Sequence, residues 1–235
     1  MIPLINYIKI GKNRKEFCKY LIFCYTYCMN NSTNNYYNLN AHEYFNRTFD
    51  VQPEEIRKLF CSKLDTNSTI LDIGCGSGRD SLYFKENGFH VIAIDASEEL
   101  AKLASKVISQ EVIVADIEHY QLENPVDGVW AMASLLHLPK DSFKKALINI
   151  SNSLKPNGAF FMAVKVGDGE SYDQNGRFFS YYQPEELAII LKESKLFQSF
   201  YFKITKDNLG RDDTEWLNVF ATTKPQLNHN KKLKP

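Results

Sequence analysis

The sequence predicts an α/β fold: a doubly wound, mostly parallel seven-stranded sheet with helices on both faces. Three observations carry that prediction. Strand-like and helix-like segments alternate from Ala41 onward; a glycine-rich turn, Gly74-Cys75-Gly76-Ser77-Gly78, stands between a strand and a helix; and an acid, Asp95, ends the next strand. Alternation at this spacing implies right-handed crossovers and a parallel sheet covered on both sides.

Pro53-Glu54-Glu55 opens a helix, because proline and acids suit a first turn, and Ile56, Leu59, Phe60 and Leu64 follow at helical spacing. Thr69–Ile73 is a buried strand ending in glycines, and Asp80–Asn87 is helical and stops at Gly88. Strand His90–Asp95 follows, then a helix capped by Ser97-Glu98-Glu99 and running through Val107. Strands Val112–Ala115 and Val126–Ala131, helix Asp141–Leu154 and strand Ala159–Val164 continue the alternation. A helix from Pro184 to Leu191 and strands Gln198–Ile204 and Trp216–Ala221 complete it. Gly167–Ser180 and Thr205–Glu215 read as long polar loops, and loops of that length in a compact domain are usually functional or disordered.

With 235 residues, 44% hydrophobic and 24% charged, the chain has the composition of one soluble globular domain. No stretch approaches the roughly 20 apolar residues that a membrane span needs. Five cysteines, an odd number without CxxC or HExxH spacing, argue against a disulfide scaffold and a zinc site and for a reducing, cytoplasmic setting. The zero net charge is unevenly spread. Lys9, Lys12, Arg14, Lys15 and Lys19 face only Glu16 before residue 29, and the tail from Lys224 adds lysines without acids, so the middle is acidic. A nucleic-acid binder places its basic charge on the folded part, so no nucleic-acid partner is expected.

The ends read differently from the middle. Residues 1–28 join basic groups to an aromatic apolar run and hold three of the five cysteines. The segment reads as an over-called start, with translation from Met29, and a weak membrane-contacting helix is the alternative. Asn30–Asn40, with six asparagines, reads as a polar flexible lead-in. Residues 1–40 are therefore expected to be a poorly ordered or mis-called extension, 41–223 the domain, and 224–235 a basic flexible tail.

The glycine turn follows the first strand at its carboxyl end, where ligands bind in such sheets. Asp95 stands where an acid accepts hydrogen bonds from ribose hydroxyls. NAD and S-adenosylmethionine compete for a site of this kind. The dinucleotide fingerprint needs a small third residue where Arg79 stands, and Asp72 would repel a pyrophosphate but attract a ligand with an ammonium and a sulfonium.

The run Ile70-Leu71-Asp72-Ile73-Gly74-Cys75-Gly76-Ser77-Gly78 resembles motif I of the class I S-adenosylmethionine-dependent methyltransferases. Ala93-Ile94-Asp95-Ala96-Ser97 resembles their ribose-binding strand end, and Val114-Ala115-Asp116-Ile117 the segment that contacts adenine. The segment Asp127 to His137, with Ala133, resembles motif IV and its turn, and Leu154-Lys155-Pro156-Asn157-Gly158 the turn before the fifth strand, with Asn157 for the usual glycine. The likeness covers Ala41 to Thr222 and is nearest to the small bacterial tellurite-resistance-like subgroup. It implies the Rossmann-like methyltransferase fold, S-adenosyl-L-methionine as cofactor, and a cofactor site of Asp72, Gly74, Cys75, Gly76, Gly78, Asp95, Ala96, Asp116, Ile117 and Ala133. Tyr44 lies in a segment that, in such enzymes, folds over the methionine end.

Beside that, each residue has a plainer reading. Cys75 fills space under the loop, Asp80 caps the helix that follows, and Arg79 pairs with an acid or faces the substrate. His137 is either a general base or a structural histidine. Arg177 and Arg211 are candidates for binding a small, anionic or polarizable acceptor, or are solvated loop charges. Methyl transfer mainly needs alignment, so no nucleophile motif is required. A non-catalytic S-adenosylmethionine binder and a macromolecular methylase are the rival functions.

Overall fold

The computed structural model describes residues 32–207, 209–210 and 214–225. Seven strands form one sheet: β1 (Thr69–Ile73), β2 (His90–Asp95), β3 (Ile113–Val114), β4 (Val126–Met132), β5 (Leu154–Lys165), β8 (Phe197–Lys206) and β9 (Glu215–Thr223), with β6 (Glu170–Tyr172) and β7 (Phe178–Ser180) pairing apart as a hairpin. The order is β3-β2-β1-β4-β5-β9-β8; the first five are parallel, and β9 is antiparallel to both neighbours. This is the doubly wound sheet the alternation predicted.

Side-chain alternation explains why both faces are covered. On β4 and β5, Val129, Ala131, Phe160, Met162 and Val164 point to one face, and Trp130, Phe161 and Ala163 to the other. The first face packs α6 (Lys140–Ser153) through Phe143, Leu147 and Ile150, and α7 (Pro184–Ser194) through Leu187 and Leu191. The second packs α3 (Glu54–Cys61) through Ile56 and Phe60, α4 (Arg79–Glu86) through Phe84, and α5 (Glu98–Ile108) through Ala101, Ala104 and Ile108. Trp130 and Phe161 stack there with centroids 4.0 Å apart, and Phe60 lies against Trp130 at 5.2 Å.

Three expectations change. The asparagine-rich lead-in is helical over residues 32–39 (α1), followed by α2 (Ala41–Thr48). Local composition hides this because tertiary contacts, not propensity, hold a short helix. Asn38 Oδ1 accepts from Ser97 Oγ at 2.7 Å, and Thr33 Oγ1 accepts from the Phe178 N–H at 2.9 Å. The stretch read as a Gly167–Ser180 loop contains the β6–β7 hairpin. Asp80 does not cap α4, whose N-cap is Gly78; it is buried in an ion cluster described below. Asn157 adopts φ 61°, which explains how it replaces glycine in that turn: asparagine tolerates the left-handed region. Residues 1–31 and 226–235, which hold the expected start and tail, lie outside the described residues. Among the described residues no helix is long and apolar enough to cross a membrane.

Candidate active site

The carboxyl ends of β1, β2, β4 and β5 converge where β1 and β4 adjoin, the point at which the strand order reverses. Gly74, Gly76 and Gly78 take φ of 67°, 56° and 76° in the loop between β1 and α4. A Cβ at Gly74 would stand 2.5 Å from Ser134 Cβ, and one at Gly76 would stand 3.2 Å from the Tyr44 ring, so glycine is needed for space as well as for dihedral angle. The buried Asp95 carboxylate ties the loop down: Oδ2 accepts the Gly76 N–H and Oδ1 the Ser97 N–H, each at 2.8 Å. Burial pushes its pKa up to about 6 against those two hydrogen bonds.

Two cavities open on this loop. One is lined by Asp95, Ala96, Leu100, Asp116, Ile117 and Ser134, among others. The other reaches past Asp72, Cys75 and Arg79 to Lys165, Arg177 and Trp216. Six residues line both and form the wall between them: Tyr37, Tyr44, Gly74, Gly76, Ala133 and His137. Ala133 holds φ 54° there, a strained conformation for alanine, fixed by its N–H bonding to Ala163 O at 3.2 Å.

Residues 70–158 match a family described as "Methyltransferase domain". An uncharacterized methyltransferase of Staphylococcus carnosus is 21% identical over 69% of this chain and 82% of its own length. An S-adenosyl-L-methionine-dependent Diels-Alderase of Neonectria is 26% identical over 73% of this chain and 70% of its own. The fold is that of the Burkholderia thailandensis 1,6-didemethyltoxoflavin-N1-methyltransferase, solved with its substrate and S-adenosylhomocysteine; the TM-score is 0.72 at 21% identity, over 85% of this chain and 90% of that one. The chain is thus similar to S-adenosylmethionine-dependent methyltransferases in its central segment and in its fold, and S-adenosylmethionine is the cofactor against which its site is read.

The residues present suit that cofactor. The first cavity pairs a buried acid on β2 with an apolar floor of Leu100 and Ile117, as a nucleoside requires. Ser134 Oγ is buried there without a partner among the described residues, a polar atom that a ligand could satisfy. Asp116 is exposed at the mouth, and both its oxygens face His119 Nδ1, at 2.9 and 3.0 Å. Asp72 is buried beside the other cavity and accepts from Ser81 Oγ at 2.6 Å. Burial, with Asp80 nearby, pushes its pKa up to about 7. Cys75 is buried, with its thiol pushed well up by burial, so it fills space and is a poor nucleophile.

Of the two readings of Arg79, the pairing with an acid is seen directly. Arg79 lines the cavity and pairs with Asp80, Nη2 to Oδ2 at 3.0 Å. Asp80 also accepts from Arg57 Nε at 2.8 Å and Trp130 Nε1 at 3.0 Å. Burial works against the Asp80 charge, but Arg79 and Arg57 outweigh it and lower its pKa. This cluster props the loop from below, and sequence reading missed Arg57 because its partner lies 23 residues away.

His137 is engaged at both nitrogens: Nδ1 lies 2.6 Å from Phe178 O, and Nε2 lies 2.8 Å from the Tyr37 hydroxyl. A carbonyl only accepts, so Nδ1 carries the proton and Nε2 accepts from Tyr37. Burial lowers the His137 pKa to about 4. Both ring nitrogens of His137 are thus engaged within the protein. Arg177 lines the second cavity but is clamped by Asp173, with Nε and Nη2 at 2.9 and 2.6 Å from Oδ2, and lies over Tyr36 at 4.7 Å. Arg211 lies outside the described residues. Tyr37 was missed in the sequence because it sits in the asparagine-rich stretch.

Proposed function

We propose that the enzyme methylates a small molecule held in the second cavity, with the cofactor's adenosyl part in the first. The wall shared by Tyr37, Tyr44, Gly74, Gly76, Ala133 and His137 carries this reading, because a donor and an acceptor must meet across a short common boundary. Bound there, the cofactor supplies an electrophilic methyl group on a sulfonium. Asp95 takes the ribose hydroxyls, Asp116 and the Ile117 backbone meet the adenine, and Asp72 with Tyr44 faces the methionine end. Gly74, Cys75, Gly76 and Gly78 let the backbone approach.

Several features favour a small acceptor. The second cavity is lined by α2, the end of β5 and residues of the β8–β9 connection, and in its lining Arg47, Arg79, Lys165, Arg177 and Lys206 outnumber Asp72, Asp80 and Asp207. That supports an acceptor with an anionic group, with Arg177 contributing and Arg211 close by in sequence. The acidic folded part disfavours nucleic acid. The likeness to the tellurite-resistance-like subgroup and a cytoplasmic setting belong to the same reading, the latter supported by free thiols at Cys61 and Cys75.

The test is incubation with methyl-labelled S-adenosylmethionine and cell extract divided into small-molecule, protein and nucleic-acid fractions. Label in the small-molecule fraction is expected. Label confined to protein or nucleic acid would overturn the proposal.

A further inference from the structure

The direction of every hydrogen bond around Tyr37 is fixed. The Phe178 carbonyl can only accept, so it takes the His137 Nδ1 proton across 2.6 Å. His137 Nε2 is then bare and takes the only proton of the Tyr37 hydroxyl across 2.8 Å. The Arg177 guanidinium stands beside the Tyr37 ring, 6.0 Å from its centroid. Its own orientation is set by Asp173, bonded to both its side chain and its N–H. The Tyr37 oxygen, its one proton given to His137, therefore meets the cavities purely as an acceptor. A ligand group touching it must bring an N–H or O–H.

Tyr37 and His137 line both cavities, so this one-way acceptor stands where donor and acceptor molecules meet. A hydroxyl nucleophile placed there would need a base as it reacted, because a protonated ether is a strong acid. Neither member of the pair serves. Burial holds the imidazolium and the tyrosinate unfavourable, and Arg177 and Lys165 further oppose positive charge on His137 while Asp173 only partly offsets them. An amine needs no such base: its lone pair attacks while its N–H points at Tyr37. The cations of this cavity outnumber its carboxyl groups, and that balance favours the uncharged, nucleophilic form.

Resting on the small-molecule reading above, we infer that the methyl acceptor is an amine nitrogen still bearing hydrogen, selected by the Tyr37 oxygen, with His137 as the positioning residue that turns that oxygen. In the reaction the nitrogen lone pair forms the N–CH3 bond as the S–CH3 bond breaks and its electron pair stays on sulfur. The methylated nitrogen then carries a positive charge and gives its proton to water after release.

The experiment follows the transferred methyl group, isotope-labelled, from S-adenosylmethionine into a small-molecule extract and identifies its new bond by NMR. An N–CH3 product is expected, and O–CH3, S–CH3 or C–CH3 products alone would overturn the inference while leaving small-molecule methylation standing. No product in any fraction would remove both. With the product identified, Tyr37→Phe should retain S-adenosylmethionine binding by calorimetry and lose roughly tenfold to a hundredfold in kcat/KM, the scale of one unmet polar contact. Unchanged kcat/KM in Tyr37→Phe contradicts the selection. In the wild type, kcat/KM should rise with pH as the amine deprotonates, and His137→Gln should keep the same limb at lower height. Loss or displacement of that limb in His137→Gln would make His137 a base and sink the assignment.

Discussion

Asp95 Oδ2 accepts the Gly76 N–H across 2.8 Å, so the acid at the end of β2 holds the glycine loop of β1 in shape. One carboxylate thus fixes the loop and, in the function proposed above, also presents its remaining lone pairs to the cofactor ribose. Asp95→Ala should weaken S-adenosylmethionine binding roughly tenfold to a hundredfold, read by calorimetric titration. Unchanged affinity would take Asp95 out of the site.

The pH dependence follows from two raised carboxyl groups, Asp95 at about 6 and Asp72 at about 7, both lifted chiefly by burial. A folded-state pKa above the unfolded value means that these groups contribute stability at low pH and lose it as pH rises through about 6 to 7. Cofactor hydroxyls and positive charge favour the ionised forms. Affinity for S-adenosylmethionine should therefore rise with pH across that window, by at most about tenfold per pH unit per group, with proton release on binding. Titration in buffers of different ionisation enthalpy reads both, and pH-independent affinity would contradict it.

Asp80 lies between Arg57 and Arg79 with Trp130 on its second oxygen, and Asp80, Arg57 and Trp130 are buried. Asp80→Ala leaves a fully buried arginine without its counter-charge, and breaking such a pair costs about 3–5 kcal/mol. A large drop in Tm is expected. A change within the range of a surface substitution would show that the cluster is not a support of the loop.

How much of this was legible in the sequence depends on range. Gly74 to Gly78 and Asp95 announce themselves because a turn and a strand end are local, and β4 and β5 show their period through Trp130, Phe161 and their neighbours. The ion cluster on Asp80 was not legible: Asp beside a helix start looks like a cap, and only the packed fold brings Arg57 to it. Tyr37 was hidden in the same way, since α1 is held by Ser97, Phe178 and His137, all distant in sequence.

That helix yields a paired truncation. Removing residues 1–28 should leave Tm and cofactor affinity unchanged, because the site contacts found among the described residues and every sequence motif of the site lie later in the chain. Removing residues 1–40 should weaken S-adenosylmethionine binding, since Thr33, Asn34 and Tyr37 line the first cavity. Equal affinity in both shortened proteins would mean that α1 contributes nothing to the site.

The central claim is that the cofactor spans the shared wall, with its adenosyl part in one cavity and its sulfur facing the other. A crystal structure with S-adenosylhomocysteine tests it most directly. The ribose hydroxyls should lie within hydrogen-bond distance of Asp95, and the sulfur should sit at the boundary formed by Gly74, Ala133, Tyr37 and His137. A nucleoside bound away from Asp95, or a sulfur turned from the cavity of Lys165 and Arg177, would contradict it.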